Sequence, residues 1–115
     1  MTQLRREPEN ISNHFDTLFR GLGHRGSSFT NLDGMCHDGA THRFLMLEFK
    51  HEQEDLNKAV LWSLSDLARC PTVTVWVIWK LMADRYRVLR LPTHRTENWS
   101  ASELQQAYAN WWKGT

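Results

Sequence analysis

The triplet Glu48-Phe49-Lys50 sets an acid and a base two residues apart. On a β-strand, whose side chains alternate between faces, both project from the same side. Phe44 and Met46 lie along that side too, so it is not simply a solvated face. Upstream, Asp33 sits in a segment able to pair with the same strand and reach the same surface. Two carboxylates directed into one cleft suit Mg²⁺, a hard cation that takes oxygen ligands at about 2.1 Å and keeps several waters. A neighbouring lysine can orient or help deprotonate one of those waters, and it offsets charge on a phosphate.

Whether these groups meet depends on the turn between them. Asp38-Gly39 is a hairpin signal. The arm that follows, His42 to Lys50, alternates Leu45, Leu47 and Phe49 on one face with Phe44, Met46, Glu48 and Lys50 on the other. A strict two-residue turn would pair Asp33 with Phe44 and leave Glu48 about 13 Å further along, at roughly 3.3 Å per residue. Two ligands of one ion cannot stand so far apart. A shared site therefore requires a wider loop, roughly His37 to Thr41, or a bulge that brings Asp33 opposite Met46 or Glu48.

The remaining elements frame this hairpin. Glu7-Pro8-Glu9-Asn10 opens a helix whose apolar face is Ile11, Phe15, Leu18, Phe19 and Leu22, ended by Gly21 and Gly23. An extended segment runs from Phe29 to Cys36. Leu56, Val60, Ser63, Leu64 and Leu67 predict a helix stopped before Pro71. Val73 to Trp79 reads as a strand covered on both faces, and Tyr86 to Leu91 as a further strand nearer the edge. Ser100 and Glu103 have capping-box spacing ahead of Leu104, Ala107, Tyr108, Trp111 and Trp112. The order is that of a mixed sheet with helices against it, α/β or α+β. Trp62, Trp76 and Trp79 are expected in the core. Trp111 and Trp112 are adjacent and cannot both point inward, which implies cover from a partner subunit.

At 115 residues, with 41% apolar and 23% charged side chains, the chain has the size and composition of one globular domain. Its net charge of +1 hides an uneven distribution. Lys80, Arg85, Arg87, Arg90 and Arg95, with His94, face the single acid Asp84, whereas Glu48, Glu52, Glu54 and Asp55 surround Lys50. The most apolar run, Val73 to Trp79, is far below the roughly 20 residues of a membrane span. Arg5-Arg6 lacks the apolar stretch of an export signal. Two cysteines, Cys36 and Cys70, do not make a disulfide scaffold, and the expected compartment is the cytoplasm. The six histidines lack zinc-ligand spacing, and no glycine-rich phosphate loop is present.

An acid on a first helix, Asp33 in a hairpin, Glu-x-Lys on the next strand, then a helix and a strand resemble the PD-(D/E)xK nuclease superfamily. Within it, the short length and element order resemble the archaeal and phage Holliday-junction resolvases, and Asn31-Leu-Asp-Gly34 followed by Arg43-Phe-Leu-Met-Leu-Glu-Phe-Lys50 is similar to small phage-type members. The likeness spans roughly Glu7 to Trp79, and Leu32 stands where the motif often has proline. Each residue alone has an ordinary role, as a turn acid or a cross-strand charge pair. The ordered set is what carries the likeness.

The resemblance implies a restriction-endonuclease-like core over about residues 7–91, with the helical segment 100–113 forming a homodimer. It implies Mg²⁺- or Mn²⁺-dependent hydrolysis of branched DNA in a bacterial or phage-infected cell. Asp33 and Glu48 would ligate the metal, with the Phe49 carbonyl and a first-helix acid, Glu9 or else Glu7. Lys50 would position the attacking water, and Gln53 would be a polar residue opening the following helix. The basic residues Lys80, Arg85, Arg87, Arg90 and Arg95 would contact DNA. Alternatives are a RecB-like exonuclease or nicking enzyme with the same catalytic set, or a non-catalytic DNA- or protein-binding module.

Overall fold

Val73–Lys80 is the most buried strand of the molecule, because every residue from Val75 to Trp79 has an apolar neighbour on whichever face it points to. The computed structural model describes residues 17–18 and 32–114. Contacts divide the chain into Met1–Asn31 and Leu32–Thr115. In the first unit Thr17 and Leu18 are helical, and Leu18, expected on an apolar face, is 54% exposed. The rest of the expected first helix, with Glu7 and Glu9, lies outside the described residues.

The second unit is an α+β fold. Its elements are β1 (Gly34–Asp38), β2 (Arg43–His51), α1 (Lys58–Ala68), β3 (Val73–Lys80), β4 (Arg85–Leu91), β5 (Arg95–Ser100) and α2 (Ala101–Lys113). The five strands form one mixed sheet in sequence order. β2 and β3 are parallel, joined through α1; the other neighbours are antiparallel.

Each helix covers one face. Leu64 and Ala68 of α1 pack on Val75, Val77, Trp79 and Leu91, with Met46 and Leu89 beside them. Trp111 of α2 packs on Leu45, Trp76, Ile78 and Val88. Both helices start where their caps dictate. Asn57 accepts the Ala59 and Val60 N–H groups at 2.7 and 3.3 Å. Ser100 and Glu103 close a reciprocal capping box, at 3.1 and 2.8 Å. Trp111 is the buried anchor of α2, so Trp111→Ala is expected to cost about 3–5 kcal/mol in urea unfolding.

Tyr86 to Leu91 lies nearer an edge than Val73–Lys80, as expected, but it is not the edge itself, because β5 pairs outside it. The β5 sequence RTENWS has little apolar content, and edge strands need little. The hairpin joining β4 to β5 is the three-residue loop Pro92-Thr93-His94, with His94 at φ 59° in the left-handed position such loops use. Trp62 is not in the core: it lies on the outer side of α1, 64% exposed. The first described strand begins at Gly34 and runs on to Asp38, past the expected end at Cys36. Of the adjacent pair, Trp111 points inward and Trp112 is 39% exposed.

Candidate functional site

The turn between β1 and β2 is not a two-residue turn. It is the four-residue loop from Gly39 to His42, and its own side chains hold it open. Asp38 Oδ1 accepts the Ala40 N–H at 3.1 Å, and Asp38 Oδ2 accepts Arg43 Nη2 at 3.0 Å. Arg43 Nε donates to Thr41 Oγ1 at 2.9 Å. His42 takes a left-handed φ of 58°. The Thr41 and Arg43 contacts hold the Asp38 carboxyl below its ordinary pKa, the Thr41 bond being the larger cause.

The longer loop shifts the register. Asp38 pairs with Arg43 and Gly34 with Leu47, so one residue further Asp33 comes alongside Glu48 and not Phe44. Two bonds fasten it there. The Asp33 N–H donates to Leu47 O at 3.1 Å, and the Phe49 N–H donates to Asp33 Oδ2 at 2.7 Å. Asp33 thus grips β2 on both sides of Glu48. Because the N–H and C=O of one strand residue point the same way, the Phe49 carbonyl also faces the side on which Asp33 lies.

Glu48 and Lys50 point to the α1 face, paired in register with Val77 and Trp79. Their side chains retain only 13% and 12% of their exposure. Lys50 Nζ lies 3.8 Å from Glu48 Oε2 and 3.3 Å from Glu54 Oε2. Burial, and after it the charge of Asp33, push the Glu48 carboxyl above the ordinary carboxylate pKa, against the pull of Lys50. Glu48 Oε1 is buried with no hydrogen-bond partner among the described residues. A buried carboxylate oxygen left without a donor is costly unless a cation or proton meets it.

Glu54 is the residue that sequence reasoning missed. Gln53, named instead, is exposed and makes no bond to Lys50 among the described residues. Glu54 Oε1 accepts the His51 N–H at 3.0 Å, its Oε2 meets Lys50, and its backbone carbonyl accepts Trp79 Nε1 at 2.7 Å. The His51 N–H, and then Lys50, lower its carboxyl pKa. The four-residue spacing from Lys50 was visible, but such spacing brings side chains together on a helix, and this segment is a turn.

The basic segment does not form one surface. Arg85 and Arg87 share the α1 face with Glu48 and Lys50; Lys80, Arg90 and Arg95 point to the α2 face. Arg90 is held by Glu97 at 3.0 Å, and Lys80 lies over the Tyr86 ring at 5.7 Å.

Among the described residues, no group of three or more His, Cys, Asp or Glu side chains is set to hold a metal ion. Asp33 and Glu48 are a two-carboxylate set, which suits a cation that retains waters, and the orphaned Glu48 oxygen is consistent with one. Among those residues, too, no helix is long and apolar enough to cross a membrane. Cys36 and Cys70 are free thiols. No protein-family model, no curated protein and no solved structure matches this chain.

Proposed function

We propose that the protein is a metal-dependent endonuclease that hydrolyses phosphodiesters in branched DNA, with a restriction-endonuclease-like core. The observation that carries this reading is Asp33 fastened to β2 on both sides of Glu48, whose buried oxygen has no donor among the described residues while Lys50 stands 3.8 Å from the other. Asp33, Glu48 and the Phe49 carbonyl would hold Mg²⁺ or Mn²⁺. Bound there, the metal supplies Lewis-acid polarisation of a phosphoryl oxygen and lowers the pKa of a bound water. Lys50, steadied by Glu54, holds its ammonium beside Glu48, where it would orient the attacking water and offset charge building on the phosphate. The site lies at the carboxyl ends of the parallel pair β2 and β3, where ligands of open α/β sheets bind.

A symmetric four-way junction calls for two sites related by a two-fold axis, so the same reading includes a homodimer. Tyr108 and Trp112 of α2, both exposed, would form its contact. A non-catalytic module is the second reading, favoured by the absence, among the described residues, of a third ligand side chain beside Asp33 and Glu48. The two separate in one experiment: labelled four-way junction, linear duplex and single strands are incubated with the protein in Mg²⁺, Mn²⁺ or EDTA. Paired cuts in the junction with either metal and none in EDTA are expected. Tight junction binding without any metal-dependent product would establish the module instead.

A further inference from the structure

A half-buried guanidinium normally has a carboxylate, because partial loss of water leaves its charge uncompensated. Among the described residues three arginines are half-buried: Arg43, Arg87 and Arg90. Arg43 has Asp38 at 3.0 Å and Arg90 has Glu97 at 3.0 Å. Arg87 has no carboxylate among the described residues. What it has is the Trp79 ring, 4.8 Å below its guanidinium. That indole is itself fixed by its bond to Glu54 O. Among the described residues the arginine is therefore held by stacking, which leaves its five N–H donors uncommitted to any anion there.

Its location relative to the candidate site follows from the register. Lys50 pairs with Trp79, and Trp79 pairs with Arg87. The three form one row across the sheet, on the α1 face. Two strand spacings separate the Lys50 and Arg87 backbones, about 10 Å. Trp79 is the floor between them, and Glu54 touches both Lys50 and Trp79. The neighbouring basic groups differ. Arg85 Nη2 rests on Asn98 O at 3.4 Å, and Lys80, Arg90 and Arg95 are on the opposite face.

We propose that Arg87, stacked on Trp79, binds a phosphate of the substrate strand a short distance from the scissile one, so that the strand crosses the sheet from β2 toward β4. The assignment rests on the nuclease reading and narrows its DNA contacts from five basic residues to the face that carries Lys50. Of the basic segment, the α2-face residues Lys80, Arg90 and Arg95 do not contact the cut strand.

The test is equilibrium binding of labelled four-way junction in EDTA, where nothing is cut, across a salt series, with folding of each variant checked by circular dichroism. Arg87→Ala is expected to bind roughly tenfold more weakly at ~0.1 M salt and to lose about one unit from the log–log salt slope. Arg87→Lys keeps the charge but not the stacked plane, so it is expected to recover the slope and only part of the affinity. Arg69→Gln, at the far end of α1, controls for charge alone and is expected to bind as the unaltered protein does. Equal losses in Arg87→Ala and Arg90→Ala would overturn the assignment, as would an unchanged slope in Arg87→Ala. Either result leaves the nuclease reading standing if the unaltered protein cuts junctions in Mg²⁺. Absence of both binding and cutting in the unaltered protein would remove that reading and the Arg87 contact together.

Discussion

Glu48→Gln is expected to abolish metal-dependent cleavage while leaving the protein at least as stable as before. The two halves of this expectation have one cause. Glu48 is enclosed, close to the charge of Asp33, and one of its oxygens has no donor among the described residues. Its ionised form is disfavoured in the fold, so its pKa there lies above the unfolded value. A carboxyl with a raised folded pKa binds more protons in the native state than in the unfolded one between those two values. Stability therefore falls as pH rises through that window, and the penalty is complete above it. Glutamine keeps the shape, removes the charge and donates a hydrogen, so both the penalty and this part of the pH dependence should vanish. The unfolding midpoint of Glu48→Gln in EDTA at neutral pH should equal or exceed that of the unaltered protein, and the difference should shrink toward acid pH. Cleavage should fall by at least roughly 10³-fold, the equivalent of about 4 kcal/mol of lost charge stabilisation at a metal-assisted step. A variant that is clearly less stable, or that still cuts junctions, would show Glu48 to be an ordinary structural acid.

The strands that carry this site were legible because their side chains obey simple periods. The alternation from Phe44 to Lys50 assigns Glu48 and Lys50 to one face without reference to any other element. The run Val73 to Trp79 marks the strand beneath both helices, and Ser100 with Glu103 marks the start of the last helix. What was not legible depended on contacts between segments. The turn signal Asp38-Gly39 suggested a tight hairpin. The loop runs instead to His42, because Asp38 is occupied by Ala40 and Arg43, and this is what carries Asp33 to Glu48. β5 was hidden because an edge strand with one core-facing aromatic, Trp99, has no strong pattern. The size of Trp62 suggests burial, whereas its position on α1 turns it outward. The basic segment looked continuous in sequence, but strand alternation divides it between two faces. Glu54 escaped notice because a turn, and not a helix, folds it back onto Lys50.

That fold-back makes Lys50 a residue whose loss should damage stability and cleavage together. Lys50→Ala removes the cation that, among the described residues, bridges Glu48, 3.8 Å away, and Glu54, 3.3 Å away. With Asp33 near them, the remaining carboxylates repel one another, offset only in part by the His51 N–H on Glu54 and the Phe49 N–H on Asp33. Unlike Glu48→Gln, this change is expected to destabilise the fold. The cost should be about 2–3 kcal/mol, short of the roughly 3–5 of a fully enclosed pair, because Glu54 keeps 43% of its exposure. The Glu48 carboxyl should move further up in pKa once the lysine that opposes its burial is gone. A site that resists ionisation also binds a divalent cation less readily, since the ligand must give up its proton first. Cleavage should fall by roughly 10²–10³-fold through lost stabilisation of developing charge, and by more at mildly acidic pH than at pH 8. Lys50→Arg restores the charge and the bonds to both carboxylates but not the compact ammonium. It should recover most of the stability and little of the cleavage. Recovery of both by arginine would mean that Lys50 serves only to neutralise Glu48 and Glu54, and that water is oriented by some other group.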